Sequence, residues 1–131
     1  MVLNPRTLTR HARLICLILT LAGGIYLYRR YELFDLPQAG CSPVSRYSPG
    51  ARLLLDRRPP RLESGDGVLF AAGDEVLYLG LVDRTRGCSD LMPAEVWIQT
   101  DVEACPGPDS DEFGWIPVEG IRARVMMVIQ G

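Results

Sequence analysis

Hydrophobic and polar positions divide the chain into two regimes. Residues 1–13 are polar and basic, and Leu14 to Tyr28 (LICLILTLAGGIYLY) form an uncharged apolar run of fifteen residues closed by Arg29 and Arg30. No polar face interrupts the run, which disfavours a core helix packed on one side only. A spanning helix usually needs about 20 residues, so this run is short, but Tyr26 and Tyr28 suit an interface and the flanking Arg side chains can snorkel. The pattern therefore predicts a transmembrane anchor over residues 14–30 behind a basic segment, 1–13. The rival is a cleaved signal peptide with its h-region at Leu14 to Leu21 and cleavage before Gly23. Continuation of the run for six residues past Ala22 favours a retained anchor.

Beyond Arg30 the period changes. Residues 31–51 are rich in Pro, Gly and Ser and read as a loop with turns at Pro37, Gly40, Pro43 and Pro49-Gly50. From Arg52 onward, short apolar stretches alternate with turns and no helical period recurs. Strands are predicted at Arg52 to Asp56, Gly67 to Phe70, Glu75 to Val82, Glu95 to Thr100, Gly114 to Val118 and Ile121 to Ile129. Arg57-Arg58-Pro59-Pro60-Arg61 must be a loop, because neither proline can donate to a ladder. The expected fold is mostly β: an N-terminal transmembrane helix followed, over 31–131, by a small, strongly twisted β domain or partly open barrel. At 131 residues there is room for one anchor and one domain of about 90 to 100 residues.

Charge is divided unevenly. Residues 1–30 hold five Arg and no acid, while 31–131 hold nine Arg against sixteen acids, a net −7. An acidic domain without a basic stripe excludes nucleic acid as an expected partner. Three Arg and His11 precede the apolar run against two Arg after it, a bias that puts the domain on the outer face of a cell membrane. The chain contains no Lys. Arg keeps its proton near neutral pH and cannot replace Lys as a general base.

Cys41, Cys88 and Cys105 lie outside the anchor and Cys16 within it. In an oxidising compartment one disulfide and one free thiol are expected among the outer three, with Cys88–Cys105 preferred because both flank one strand region. There is no C-x-x-C and no His pair, so neither zinc nor another cofactor is expected. Met126-Met127, in an apolar strand, are expected in the core.

The richest local chemistry lies at Asp109-Ser110-Asp111-Glu112-Phe113-Gly114-Trp115-Ile116-Pro117, a polar turn running into a strand: Pro106, Gly107 and Pro108 oppose helix, and Gly114 permits a tight strand entry. With Thr100-Asp101-Val102 before it, the stretch resembles the last signature of the type I signal peptidases, the membrane-anchored serine-lysine peptidases (G-D-N, then S-x-D-S-R-x-F-G and Pro). Three further stretches fall in the family's order. Gly40-Cys41-Ser42, eight residues before Gly50, is similar to the nucleophile loop G-x-S-M-x-P-T-L-x-x-G-D, with Pro43, Ser45, Arg46, Tyr47 and Ala51 departing from it. Gly65-Asp66-Gly67-Val68-Leu69-Phe70 is similar to G-D-x-V-x-F, although Gly-Asp is also a plain strand-entry turn. Val82-Asp83-Arg84-Thr85-Arg86-Gly87 aligns with V-K-R-V-V-G, with Asp83 at the lysine.

The resemblance implies a single-pass membrane protein whose β domain cleaves signal or leader peptides, with membrane and preprotein as partners. It makes Ser42 the candidate nucleophile, puts Asp83 in the base position, and gives Asp109 and Ser110 supporting roles. The residues oppose full activity. Ser-Lys hydrolysis needs a neutral amine to take the serine proton, and a carboxylate near pKa 4 is a poor substitute unless burial raises it. Asp111 occupies the position of the family Arg that pairs with the residue matching Asp109, leaving Arg84, Arg122 or Arg124 as compensating cations. Two functions follow: a divergent serine endopeptidase with impaired hydrolysis, or a non-enzymatic membrane-tethered β domain that binds peptides or a partner protein. In the second case Ser42 is an ordinary loop or capping hydroxyl.

Overall fold

The computed structural model describes residues 4–58, 61–73, 75–87, 94–105 and 107–130. The chain forms two compact units divided between Arg30 and Tyr31. The first is helix α1, Pro5–Arg30, which starts earlier than the apolar run because its N-terminus is capped. Asn4 Oδ1 accepts the Arg6 N–H at 3.2 Å, and Pro5 sits at the first helical position, where a missing N–H costs nothing. Thr7 and Thr9 donate back to the carbonyls of Asn4 and Pro5. Its 26 residues rise about 39 Å, more than a hydrocarbon core of about 30 Å. The helix is thus long and apolar enough to cross a membrane.

The second unit is mostly β, as expected: a seven-stranded antiparallel sheet curled into a half-barrel. Its strands are β1 (Tyr31–Asp35), β2 (Arg52–Asp56), β3 (Gly67–Phe70), β4 (Tyr78–Arg86), β5 (Glu95–Gln99), β6 (Ile116–Pro117) and β7 (Ile121–Gln130). The order across the sheet is β1-β2-β7-β3-β4-β5-β6. β7 therefore lies between β2 and β3 and joins the two halves. Strand β1 falls inside the stretch expected to be a loop. Its five residues alternate too briefly to stand out, yet every one pairs with β2, from Tyr31↔Asp56 to Asp35↔Arg52, and the last rung carries an Arg52–Asp35 ion pair at 2.7 Å. β4 begins and ends later than expected.

A one-turn helix α2, Ser110–Phe113, replaces part of the expected turn. Asp109 caps it by accepting the Asp111 N–H at 3.0 Å, and Gly114 ends it at φ 75°, a conformation that favours glycine.

The sheet buries apolar side chains on both faces. On one face, Leu53, Leu55, Leu69, Leu79, Ala123 and Val125 pack against Val44, Tyr47 and Ala51 of the 36–51 loop. On the other, Val68, Phe70, Val82, Val96, Ile98 and Ile116 pack with Leu62 and with Phe113 of α2. β3 serves both faces, so all four of its residues are buried. Gly67 is required there, since a Cβ would run into the Tyr47 ring.

Two expectations are corrected. Met126 and Met127 are 45% and 56% exposed. The pairs Leu54↔Met127 and Leu55↔Val125 leave Met126 as an extra residue in a bulge, and bulges re-aim side chains. Cys105 is bonded to Cys41, with Cα atoms 5.8 Å apart, and so is not available to Cys88, which lies outside the described residues. Sequence proximity favoured the wrong partner because the 36–51 loop folds back onto the β5–α2 connection.

Candidate functional site

Loop 36–51 crosses one face of the sheet and is pinned at both ends. The Leu36 N–H donates to Ala51 O at 2.9 Å and the Gly50 N–H to Pro37 O at 3.2 Å. Val44 and Tyr47 are its buried plugs. Its middle is fastened to the segment after β5: the Asp101 and Val102 N–H groups both donate to Pro43 O, at 3.1 and 3.3 Å. In return, the Asp101 carboxylate accepts the Ser45 N–H at 2.7 Å and the Ser45 hydroxyl at 2.6 Å. These two donors, the hydroxyl foremost, hold the Asp101 carboxyl below the usual carboxylate range. Gly107 packs so closely on Pro43 that a Cβ would approach its ring at 2.9 Å. The Cys41–Cys105 disulfide completes the junction.

This junction brings together two of the stretches singled out in the sequence, the Gly40-Cys41-Ser42 loop and the Thr100-to-Ser110 segment. Between loop and sheet it frames a hollow of about 320 Å³, lined chiefly by Phe34, Leu36, Ser42, Leu69, Leu77 and Tyr78. The wall is aliphatic and aromatic, with the Tyr78 phenol its sole titratable side chain among the described residues apart from the bonded Cys41.

Ser42 is therefore at a concave apolar site, but its hydroxyl is engaged locally. It donates to Val44 O at 3.0 Å and accepts from the Val44 N–H at 3.4 Å, a side-chain turn that stabilises the loop. Asp83 does not line the hollow. It is exposed on β4, where the register shifts between Val82 and Arg84, and its nearest described cation is Arg84 at 4.0 Å.

Asp109 and Ser110 are adjacent and both are engaged with backbone. Besides capping α2, Asp109 accepts from the Thr100 N–H and hydroxyl at 3.4 and 3.3 Å. Ser110 is 1% exposed and its Oγ accepts the Ile98 N–H of β5 at 2.7 Å. The candidate compensating cations are placed elsewhere. Arg84 stacks over Trp97 and Trp115 at 5.1 and 5.5 Å, Arg124 donates to Arg61 O, and Arg122 lines a separate depression with Glu75 and Glu119. Asp101 and Cys41 are the junction residues that the sequence did not mark as functional. The signal available was position: each belongs to a motif already singled out, Cys41 beside Ser42 and Asp101 at the Asp of G-D-N.

Among the described residues no group of His, Cys, Asp and Glu side chains could hold a metal ion. Chemically, the site offers a hydroxyl and an apolar trough, with no amine, imidazole or carboxylate on its wall among the described residues. What fold and site define is a class, a mostly β domain behind a helix able to cross a membrane, with an apolar hollow under a disulfide-clamped loop. No family model, curated protein or solved structure matches the chain. None of these comparisons identifies a signal peptidase family.

Proposed function

We propose that this chain is a membrane-anchored β domain of signal-peptidase type that binds extended apolar peptide segments without cleaving them. The observation that carries the proposal is the Ser42 hollow. Its wall suits the apolar stretch of a signal or leader peptide, whereas its hydroxyl is turned to Val44 and faces no base among the described residues. Concave, mostly apolar sites with few polar groups are the usual form of binding sites. The Cys41–Cys105 bond fits an oxidising compartment and, with the Arg distribution around α1, supports a single-pass topology with the domain on the outer face of the cell membrane.

The test is fluorescence anisotropy of a labelled signal peptide with the full chain in detergent, with product analysis on the same samples. Reversible binding without product is expected. Leu77, 47% exposed, lines the hollow without supporting the core, so Leu77→Asp should weaken binding roughly tenfold or more, about 1.4 kcal/mol. Cleavage at about 1 per second that Ser42→Ala abolishes would establish the other function, a working serine endopeptidase.

A further inference from the structure

A second concavity lies beside α2, between the β3–β4 connection and the segment that runs from α2 to the start of β7. It holds about 560 Å³, within the range of about 300–1,000 Å³ usual for small-molecule sites. Phe113, Trp115 and Ile116 form its apolar wall, and three charged side chains reach it, Glu75, Glu119 and Arg122. The wall is fixed from behind. Phe113 rests on Tyr78 with ring centroids 5.6 Å apart. Trp115 meets Trp97 edge-on at 5.3 Å and carries the Arg86 guanidinium at 4.2 Å, and Arg86 is itself tied to Glu95 at 2.7 Å. The Ala71 N–H donates to Gly120 O at 2.9 Å and draws the two sides together.

The charged side chains stand apart although their signs are opposite. Among the described residues, none of Glu75, Glu119 and Arg122 makes an ion pair or a side-chain hydrogen bond. Arg122 reaches the depression through a bulge: Leu69 pairs with Ala123 and Phe70 with Ile121, so Arg122 is the extra residue, and bulges re-aim side chains. Two carboxylates and one guanidinium thus converge on a rigid apolar wall with their bonding capacity unused. Their complement carries two cations, one carboxylate and an aliphatic stem. A free basic amino acid has all of these. Its carboxylate suits the planar fork of Arg122, its α-ammonium and side-chain cation suit Glu75 and Glu119, and its methylenes suit Phe113 and Trp115. The same residue at a peptide C-terminus lacks the α-ammonium, and at an N-terminus it lacks the carboxylate. We infer that this depression binds a free L-amino acid with a cationic side chain. The site is separate from the Ser42 hollow and independent of what that hollow takes.

Calorimetric titration of L-arginine into the full chain in detergent reads the affinity. A Trp97→Phe chain, in which Trp115 is the sole indole, reports the place through Trp115 emission. Saturable binding that changes this emission is expected. Agmatine, which lacks the carboxylate, and L-norleucine, which lacks the side-chain cation, should each bind roughly tenfold or more weakly, because each loses a charge-assisted hydrogen bond. Arg122→Gln should bring arginine toward the affinity of agmatine without weakening agmatine itself, whereas Glu119→Gln should weaken both. Failure of L-arginine to bind, norleucine that binds as well as arginine, or an Arg122→Gln chain that loses arginine and agmatine alike overturns the inference. A tripeptide ending in arginine that binds as tightly as the free amino acid also overturns it and assigns the depression to a peptide terminus. Peptide affinity at the Ser42 hollow is a separate reading, so either site can fail alone.

Discussion

Ser45 and Asp101, 56 residues apart in sequence, are joined by two short hydrogen bonds, from the Ser45 amide and hydroxyl to the two carboxylate oxygens. Both donors favour the charged form, hence the lowered pKa of Asp101. A carboxylate depressed on folding contributes stability above its unfolded value, and that contribution is lost as pH falls through the folded one. The Ser45 amide resonance should therefore titrate with a midpoint below the ordinary 3.8, and Asp101→Asn should remove the titration. A midpoint at or above 3.8 would show that the tie is absent in solution.

The Cys41–Cys105 bond closes a loop with a sequence separation of 64. A crosslink of that span restricts the unfolded chain by about 4 kcal/mol in the loop-entropy account. Cys41→Ser should lower the unfolding midpoint accordingly, as read by thermal circular dichroism in detergent. Non-reducing peptide mapping should recover the Cys41 and Cys105 peptides linked, and recovery of a Cys88–Cys105 peptide would refute the pairing.

Ser110 separates a supporting role in catalysis from a structural one. Ser110→Ala leaves the Ile98 N–H without its buried acceptor, at a cost of about 1–3 kcal/mol, and should leave peptide affinity at the Ser42 hollow unchanged. Loss of binding without loss of stability would place Ser110 in the site.

Asp83→Lys restores the residue type of the serine-lysine pair at the aligned position. Because Asp83 is exposed on β4 and absent from the hollow's wall, no Ser42-dependent cleavage should appear. A gain of general-base catalysis is typically 10²- to 10⁴-fold, so even a weak restoration would be visible in a detergent peptidase assay.

Much of the fold was legible in the sequence. The strands at Arg52–Asp56 and Gly67–Phe70 coincide with the expected ones, and those at Glu95–Gln99 and Ile121–Gln130 differ by one residue at one end. Apolar runs bounded by Gly, Pro and Asp encode these directly. What was not legible depends on partners distant in sequence. β1 is a strand because β2 pairs with it. Cys105 meets Cys41 because Pro43 O accepts from Asp101 and Val102. Met127 faces outward because the bulge at Met126 resets β7 against β2. At the candidate site, the motifs brought Ser42 and the Asp101-to-Ser110 segment to notice, while the orientation of the Ser42 hydroxyl is fixed by Val44, a detail of loop closure that spacing cannot encode.

The position of β7 governs how the domain comes into being. β2 and β3 have no direct pairing and are joined only by this strand, the last of the sheet in sequence. Until residues 121–130 arrive, the β1–β2 hairpin and the β3–β6 half each present an unpaired edge and half of an unfinished core. Such non-local closure is slow and leaves edges open to wrong partners. A chain emerging in sequence order must therefore wait for the last strand of the sheet before either half is complete. Truncation within β7 would remove the joint between the two halves and leave both unfinished.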